Sequence, residues 1–429
     1  MRRASATAQV REQYAGGMGI DTASTIPPAA SSEALRKAMV DTLRSWGGVR
    51  TAAVEAAMRA VPRHLFVPEA SLERAYGPES VVTFRDEDGV AISSASGPGV
   101  VAAMLEQLDV RPGDRVLEIG AGTGYNAACL AELAGPSGSV TTIDIGPEIV
   151  EEARRGLAAA GYDRVLVRHG DGADGHAANA PYDRIIVTAG AWDAPPSWRE
   201  QLAPGGRLVV PLRIRGVTRA VALELDGQVW RSVSIEECGF MPMRGPGAVE
   251  ELNLELPPNR GVRIRVDDGR PVDVDALASA LDASPVLAWS GVVVPWKPLV
   301  HLDFWLAGAS AEVCRIIVLS RVREAGLVNP IYSWGSMGCY TSDTFAYLIR
   351  RPAPSEDGQE MVELGACAYG PDGQRLAAEV TGRVRAWGCS RDMLAGLRIE
   401  VHPAGSPNLP AMITADRRHS RVFVIIGPA

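Results

Sequence analysis

The chain has 429 residues, 46% of them hydrophobic and 22% charged, and a formal net charge of −8. That length exceeds what one core supports and predicts two or three domains. Acidic and basic residues are spread evenly, which excludes a nucleic-acid surface because such a surface needs a basic face. Only Lys37 and Lys297 among the 43 basic residues are lysine, a bias of GC-rich coding rather than a preference for guanidinium groups. The six cysteines (129, 238, 314, 339, 367 and 389) form no CxxC pair and no Cys/His cluster, so no metal site is expected. The first residues lack an apolar signal core, and no apolar run reaches the ~18 residues of a membrane span. A reduced, cytoplasmic setting without membrane contact is expected.

In chain order, residues 1–30 are small and polar and read as a flexible lead. "SEALRKAMVDTLRSWGG" and "TAAVEAAMRAVP" have helical spacing and predict a small helical cap over 31–80. "AISSASGPGV" (91–100) reads as a turn ahead of a helix, with Ser93, Ser94 and Ser96 either capping it or holding an anion at its start. Strands and helices then alternate: "RVLEIG", "YNAACLAELA", "SVTTIDI", "PEIVEEARRGLAAAG", "RVLVRHGDG", "YDRIIVTAGA" and the short helix "PPSWREQLAPGG". Such alternation predicts a mostly parallel sheet covered on both faces. "RLVVPLRI" and "RAVALELDGQVWRSVSIEEC" follow as strands, with Asp226-Gly227 as a hairpin turn that adds an antiparallel edge. The Pro/Gly-rich stretch that follows predicts a linker at 246–261. Residues 262–429 read as a separate α+β domain with one clear helix, "VDALASALDAS", and a hairpin at "GPDGQ" (370–374). The aperiodic "NPIYSWGSMGCYTSDT" (329–344) reads as a loop suited to peptide contact.

The chemistry concentrates in "LEIGAGTGY" (117–125). Gly120, Gly122 and Gly124 stand between a buried strand and a helix, where glycine permits a sharp turn and close approach to a ligand. Asp144 ends the next strand, placed to accept hydrogen bonds from ribose hydroxyls. Tyr125 occupies the slot of the third glycine of a dinucleotide fingerprint, and Glu118 precedes the loop. This E-x-G-x-G-x-G pattern, followed by Asp171-Gly172 after the third strand, resembles motif I and the adenine-side contact of S-adenosyl-L-methionine-dependent methyltransferases. No G-x-S-x-G elbow is present. His64, His169 and His176 read as surface or packing residues.

The resemblance extends outward. "AVPRHLFVPEASLERAY", "AISSASGP", "LDVRPGDRVLEIGAGTGYNAACLAELAG", "GDG" and "APYDRIIVTAGAWDAPPSWREQLAPGGRLVVPL" together resemble the protein-L-isoaspartate O-methyltransferase family over about residues 55–215. The implied fold is α/β: a Rossmann-like class I methyltransferase with a doubly wound sheet, an antiparallel edge hairpin and an N-terminal helical cap. It would span 31–245 and be followed by a C-terminal α+β domain. The implied cofactor, S-adenosyl-L-methionine, would be held by Glu118, Gly120, Ala121, Gly122, Gly124, Tyr125, Asp144, Ile145, Asp171, Gly172 and Thr188. The family's hydroxyl segment before motif I maps onto Ser96-Gly97-Pro98, which makes Ser96 the donor to the acceptor carboxylate. Gly97 replaces the usual Gln or Ala, and the extra residues leave Ser93 as an alternative counterpart, with Ser94 beside it.

The added C-terminal residues resemble extended bacterial homologues associated with ribosomally made, modified peptides. The expectation is therefore methylation of an Asp side chain in such a peptide, the ester collapsing to a succinimide (aspartimide). The alternative is repair methylation of isoaspartyl proteins. The partner is a peptide or protein bearing Asp or isoAsp, and the C-terminal domain would recognise it or mediate a homodimer. A small-molecule methyltransferase and an inactive S-adenosylmethionine-binding protein remain as other readings.

Overall fold

The computed structural model describes residues 31–427 except 88, 246–251, 257–260, 267–271, 297–298, 310–311, 333–334, 357 and 395. The lead expected at 1–30 and much of the linker expected at 246–261 lie outside the described residues. Ser31 and Thr51 begin the first two helices by accepting hydrogen bonds from the amides of Ala34 and Val54, at 3.2 and 3.3 Å. These helices are α1 (Ser32–Ser45) and α2 (Ala52–Ala60), followed by α3 (Leu72–Ala75). A two-stranded ribbon, β1 (Val81–Arg85) with β2 (Ala91–Ala95), leads into α4 (Pro98–Leu108). Most of "AISSASGP", expected as a turn, is thus a strand. No serine caps α4: Gly97 is at the cap position and makes no side-chain cap bond.

The alternating region forms as its periodicity predicts. In order come β3 (Arg115–Ile119), α5 (Tyr125–Ala134), β4 (Ser139–Asp144), α6 (Pro147–Ala159), β5 (Leu166–His169), β6 (Tyr182–Val187) and α7 (Pro196–Glu200). They are followed by β7 (Leu202–Ile214), β8 (Val217–Asp226) and β9 (Val229–Glu237). α7 stops before the expected Gly pair, and "LAPGG" already belongs to β7. β3, β4, β5, β6 and β7 run parallel, and β8 and β9 are antiparallel to their neighbours. With β4 on one side of β3 and β6 on the other, chain direction across the sheet reverses at β3. A crevice opens there at the carboxyl ends of the strands.

The second half departs from the expected independent domain. Its elements are β10 (Leu252–Glu255), β11 (Val262–Val266), α8 (Val274–Ala280), β12 (Val286–Pro295), α9 (Val300–Ala309), β13 (Val313–Val318) and α10 (Ser320–Glu324). Then come β14 (Ser336–Tyr340), β15 (Phe345–Glu356), β16 (Gln359–Tyr369), α11 (Gly373–Cys389), α12 (Arg391–Leu394), β17 (Leu397–Pro403), β18 (Ile413–Asp416) and β19 (Ser420–Ile426). Seven strands form a sheet in the order β10-β11-β13-β14-β15-β16-β12. β10 lies inside the expected linker. The expected hairpin at 370–374 is instead the entry to the 17-residue helix α11.

The last three strands return to the sheet built around β3–β9. β17 pairs with β9, giving ten strands in the order β18-β19-β17-β9-β8-β7-β6-β3-β4-β5. β9 is therefore interior, and a boundary at 262 does not separate the two sheets. One apolar cluster joins the halves. Val210, Leu212, Val221 and Leu223 of the ten-stranded sheet share it with Leu302, Phe304, Val362, Leu364 and Val384. A second cluster packs the cap helices, α4, α5 and α6 on the opposite face.

Candidate active site

The loop after β3 folds as it does because its glycines adopt backbone angles that other residues avoid. Gly120, Gly122 and Gly124 have φ of 101, 51 and 88°. A Cβ on Gly120 would fall 2.5 Å from Thr188 Oγ1, and one on Gly172 would fall 2.3 Å from Ile119 Cγ2, so both positions form a tight cradle wall. Gly124 has a different task. A Cβ there would meet Ala153 O and Leu157 Cγ at 3.0 Å, so it lets α6 pack against the loop. The Thr188 hydroxyl donates to the carbonyls of Ile119 and Gly120, at 3.1 and 2.6 Å, fixing the loop to the end of β6.

Asp144 ends β4 and accepts from the amides of Gly122 (3.3 Å) and Gly146 (3.1 Å), with Arg244 at 3.7 Å. Glu118 is fully buried. Its two oxygens accept from Asn126 Nδ2 (2.8 Å) and Thr142 Oγ1 (2.6 Å), so it braces the loop from behind. Burial pushes its carboxyl up to about 7 against the opposing pull of those two bonds.

The serine strand lies against this loop. The Cβ position of Gly122 is 3.5 Å from Ser94 O and 4.0 Å from Ser93 Oγ. Ser93 thus offers its hydroxyl toward the loop, and Ser94 its carbonyl. Ser93 is buried and its hydroxyl is 3.4 Å from that of Thr83. Behind the strand sits Arg63, wholly buried. It donates from Nε to Ala75 O (2.8 Å) and from Nη2 to Ser96 O (2.7 Å), and its guanidinium lies 4.7 Å from the centre of the Tyr125 ring. Gly97 has no room for the Gln or Ala of the family pattern in this conformation, because a Cβ would fall 2.8 Å from Pro78 O.

One cavity brings together Ser93, Ser94, Ser96, Glu118, Gly120, Ala121, Gly122, Tyr125, Asp144, Ile145, Gly172 and Thr188. Gly124 and Asp171 do not line it. Asp171 instead caps a short 3-10 turn through the amide of Ala173, at 2.8 Å. Several lining residues escaped the sequence reading. Phe240, Met241, Pro242, Met243 and Arg244 follow β9 and line one part of the cavity. They are held there by bonds from Gly190 N to Met241 O (2.7 Å) and from Met243 N to Gly190 O (2.9 Å). Their Pro/Gly-rich context carries no periodicity that could have marked them. Arg213, Arg219, Glu237, Arg265, Arg315 and Ile317 line the far side, the last three coming from the second sheet or its neighbours. The expected peptide loop at 329–344 is overturned: Ile331, Tyr332, Met337, Cys339 and Tyr340 are buried and Ser336–Tyr340 is β14. Among the described residues no cluster of His, Cys, Asp or Glu could hold a metal, and no helix is long and apolar enough to cross a membrane.

This geometry suits S-adenosyl-L-methionine. The cradle is kept open by glycine, faces the start of the ten-residue helix α5, and carries a carboxylate at the end of the adjacent strand. A model of the Protein-L-isoaspartate(D-aspartate) O-methyltransferase (PCMT) family matches residues 34–269. A protein-L-isoaspartate O-methyltransferase of Methanopyrus kandleri is 44% identical over 219 residues, 50% of this chain and 94% of that protein. One from Methanoregula boonei is 43% identical over 221 residues, 52% of this chain and 97% of that protein. A solved protein-L-isoaspartate O-methyltransferase covers 85% of this chain and 96% of its own at 20% identity, with a TM-score of 0.47.

Proposed function

Because this chain belongs to the protein-L-isoaspartate(D-aspartate) O-methyltransferase (PCMT) family, whose members are S-adenosyl-L-methionine-dependent O-methyltransferases, we propose that it methylates the carboxylate of an isoaspartyl residue in a protein or peptide. One observation carries this reading: the Ser93 hydroxyl lies against the glycine loop, 4.0 Å from the Cβ position of Gly122, and both line one cavity. When bound, S-adenosyl-L-methionine supplies an electrophilic methyl on a cationic sulfur. Gly120, Gly122 and Gly172 leave room for it, Asp144 takes its ribose hydroxyls, and the wall at 240–244 covers its adenosine side. The acceptor carboxylate, with an unperturbed pKa near 4, arrives ionised at neutral pH and needs no general base. Ser93 orients it by a hydrogen bond from a neutral hydroxyl, which fits a charge that vanishes in the transition state better than a guanidinium clamp would. Alignment of oxygen, carbon and sulfur is the main catalytic contribution, of the order of 7–11 kcal/mol.

The order of the two sequence-based readings is reversed. The family match and the relatives support the isoaspartyl acceptor ahead of an Asp in a modified ribosomal peptide. A second sheet lining the acceptor side keeps a constrained-peptide substrate, with its succinimide product, as the second reading. Transfer of labelled methyl groups to an isoaspartyl peptide, its Asp isomer and a cyclic Asp peptide separates the two. Label on the isoaspartyl peptide is expected. Label confined to the cyclic peptide would promote the second reading, and label on none would end both.

A further inference from the structure

The hairpin of β18 and β19 lies past residue 269, where the family match ends, yet it reaches the framework of the cavity. The chain turns between the two strands with Arg417 N donating to Ser420 O at 2.8 Å. This turn docks on Asp193, in the loop that follows β6. One Asp193 oxygen accepts from the Ser420 hydroxyl (2.5 Å) and the Ala194 amide (2.8 Å), and the other accepts from the His419 amide (2.7 Å). Three donors on one carboxylate, one of them the hydroxyl of buried Ser420, make a charge-assisted anchor. Beside it the buried Trp192 ring has the guanidinium of Arg417 5.1 Å from its centre and that of Arg213 at 6.0 Å. Arg417 also donates to Arg213 O at 3.1 Å.

The anchored loop carries part of the cavity wall. Thr188 and Ala189 line the cavity, and the Thr188 hydroxyl holds the carbonyls of the glycine loop. Gly190 bonds through its backbone to Met241 and Met243, two further lining residues. The Met243 methyl stands 3.3 Å from the Cβ position of Gly172, across the cradle wall. Ala191 fixes the loop to β7, donating to Pro211 O (2.8 Å) and accepting from Arg213 N (2.9 Å). Packing here leaves no slack, since a Cβ on Gly190 would fall 2.4 Å from Arg213 Nε. A shift of Asp193 is therefore passed to both sides of the cavity wall.

We propose that Asp193 is a positioning residue through which the Ser420 turn sets the cavity wall at Thr188, Met241 and Met243 for S-adenosyl-L-methionine. Asp193 does not itself line the cavity and acts through the loop it anchors. The inference goes beyond the methylation reading and needs from it only that the cavity holds this cofactor.

The test measures S-adenosylhomocysteine affinity by calorimetry and amide exchange by mass spectrometry, in the full chain and in S420A, D193A and the double variant. Each single variant is expected to weaken S-adenosylhomocysteine about 3- to 10-fold and to speed exchange in 188–193 and 240–245. Because both residues act through one contact, the double variant should bind no more weakly than D193A. S406A removes a hydroxyl that donates to Pro403 O (2.7 Å) in the same C-terminal half, and it should change neither readout. Thermal unfolding is followed in parallel, since a merely structural contact lowers the melting temperature and leaves the affinity of the folded chain unchanged. Unchanged affinity in S420A, or losses that add in the double variant, would overturn the proposal. S420A removes a single hydroxyl, so it decides the matter even if D193A does not fold. A parent chain that binds S-adenosylhomocysteine but methylates no peptide counts against the isoaspartyl reading and leaves the role of Asp193 still decided.

Discussion

Ser93 and Ser94 are neighbours, but strand alternation sends successive side chains to opposite faces of β2. Ser93 is buried toward the glycine loop, whereas Ser94 is half-exposed and turns its carbonyl there. S93A is expected to lower kcat/KM by about 10- to 100-fold, the worth of a hydrogen bond to a charged group, and S94A by less than ~3-fold. Equal losses from the two variants would remove Ser93 from the acceptor site. Glu118 makes a prediction of a different kind. Its carboxyl is pushed up to about 7 by burial, from 4.5 when exposed. Between those values the folded state holds a proton that the unfolded state has released. Stability therefore falls as pH rises through this window, by about 3 kcal/mol, and levels off above it. E118Q has no such proton to lose. Its melting temperature relative to the parent should be higher at about pH 8 than at about pH 5, and parallel pH profiles in thermal unfolding would refute the assignment.

At the level of elements, the serine strand owes its position to a side chain from the cap. The 3-10 turn after α2 carries Arg63, whose guanidinium anchors the carbonyls of Ala75 and Ser96. R63M keeps the length of the stem and removes those donors. It should cost about 1–3 kcal/mol for each buried carbonyl left unpaired, seen as a lowered melting temperature, and it should slow methyl transfer more than it weakens cofactor binding. Cofactor affinity reduced as much as turnover would show that Arg63 supports the whole fold rather than the serine strand. The helices and strands of the alternating region were legible because their apolar periodicity and Gly/Pro punctuation are local signals. β2 was not, because "SSASGP" is rich in turn formers and its strand state depends on pairing with β1.

On the scale of the whole molecule, the two halves share one sheet and one apolar cluster. β17–β19 extend the catalytic sheet, and Arg231 on β9 donates to the buried Glu400 on β17 at 2.9 Å. Asp303 of α9 sits within 2.9 Å of Arg219 and 3.1 Å of Arg315, tying catalytic sheet, helix and second sheet through one buried carboxylate. A chain ended at residue 261 would uncover β9 and the apolar face of β7 and β8. It is expected to aggregate or to show no calorimetric heat with S-adenosylhomocysteine, not merely to lose its peptide. A soluble, cofactor-binding truncation would contradict the single-core view.

The sequence by itself determined the glycine loop and the carboxylate beside it. Gly120, Gly122 and Gly124 need positive φ, Asp144 ends the adjoining strand, and both requirements are written within thirty residues. Only the tertiary structure decided that the Ser93 hydroxyl lies against the glycine loop, that 240–244 and arginines of a second sheet line the same cavity, and that Arg63 holds the strand. These contacts join residues far apart in the chain, as Gly216 and Arg315, 99 positions apart, do. Periodicity reports that a strand has a face to bury, but which surface it is buried against depends on competition among all the apolar faces of the chain.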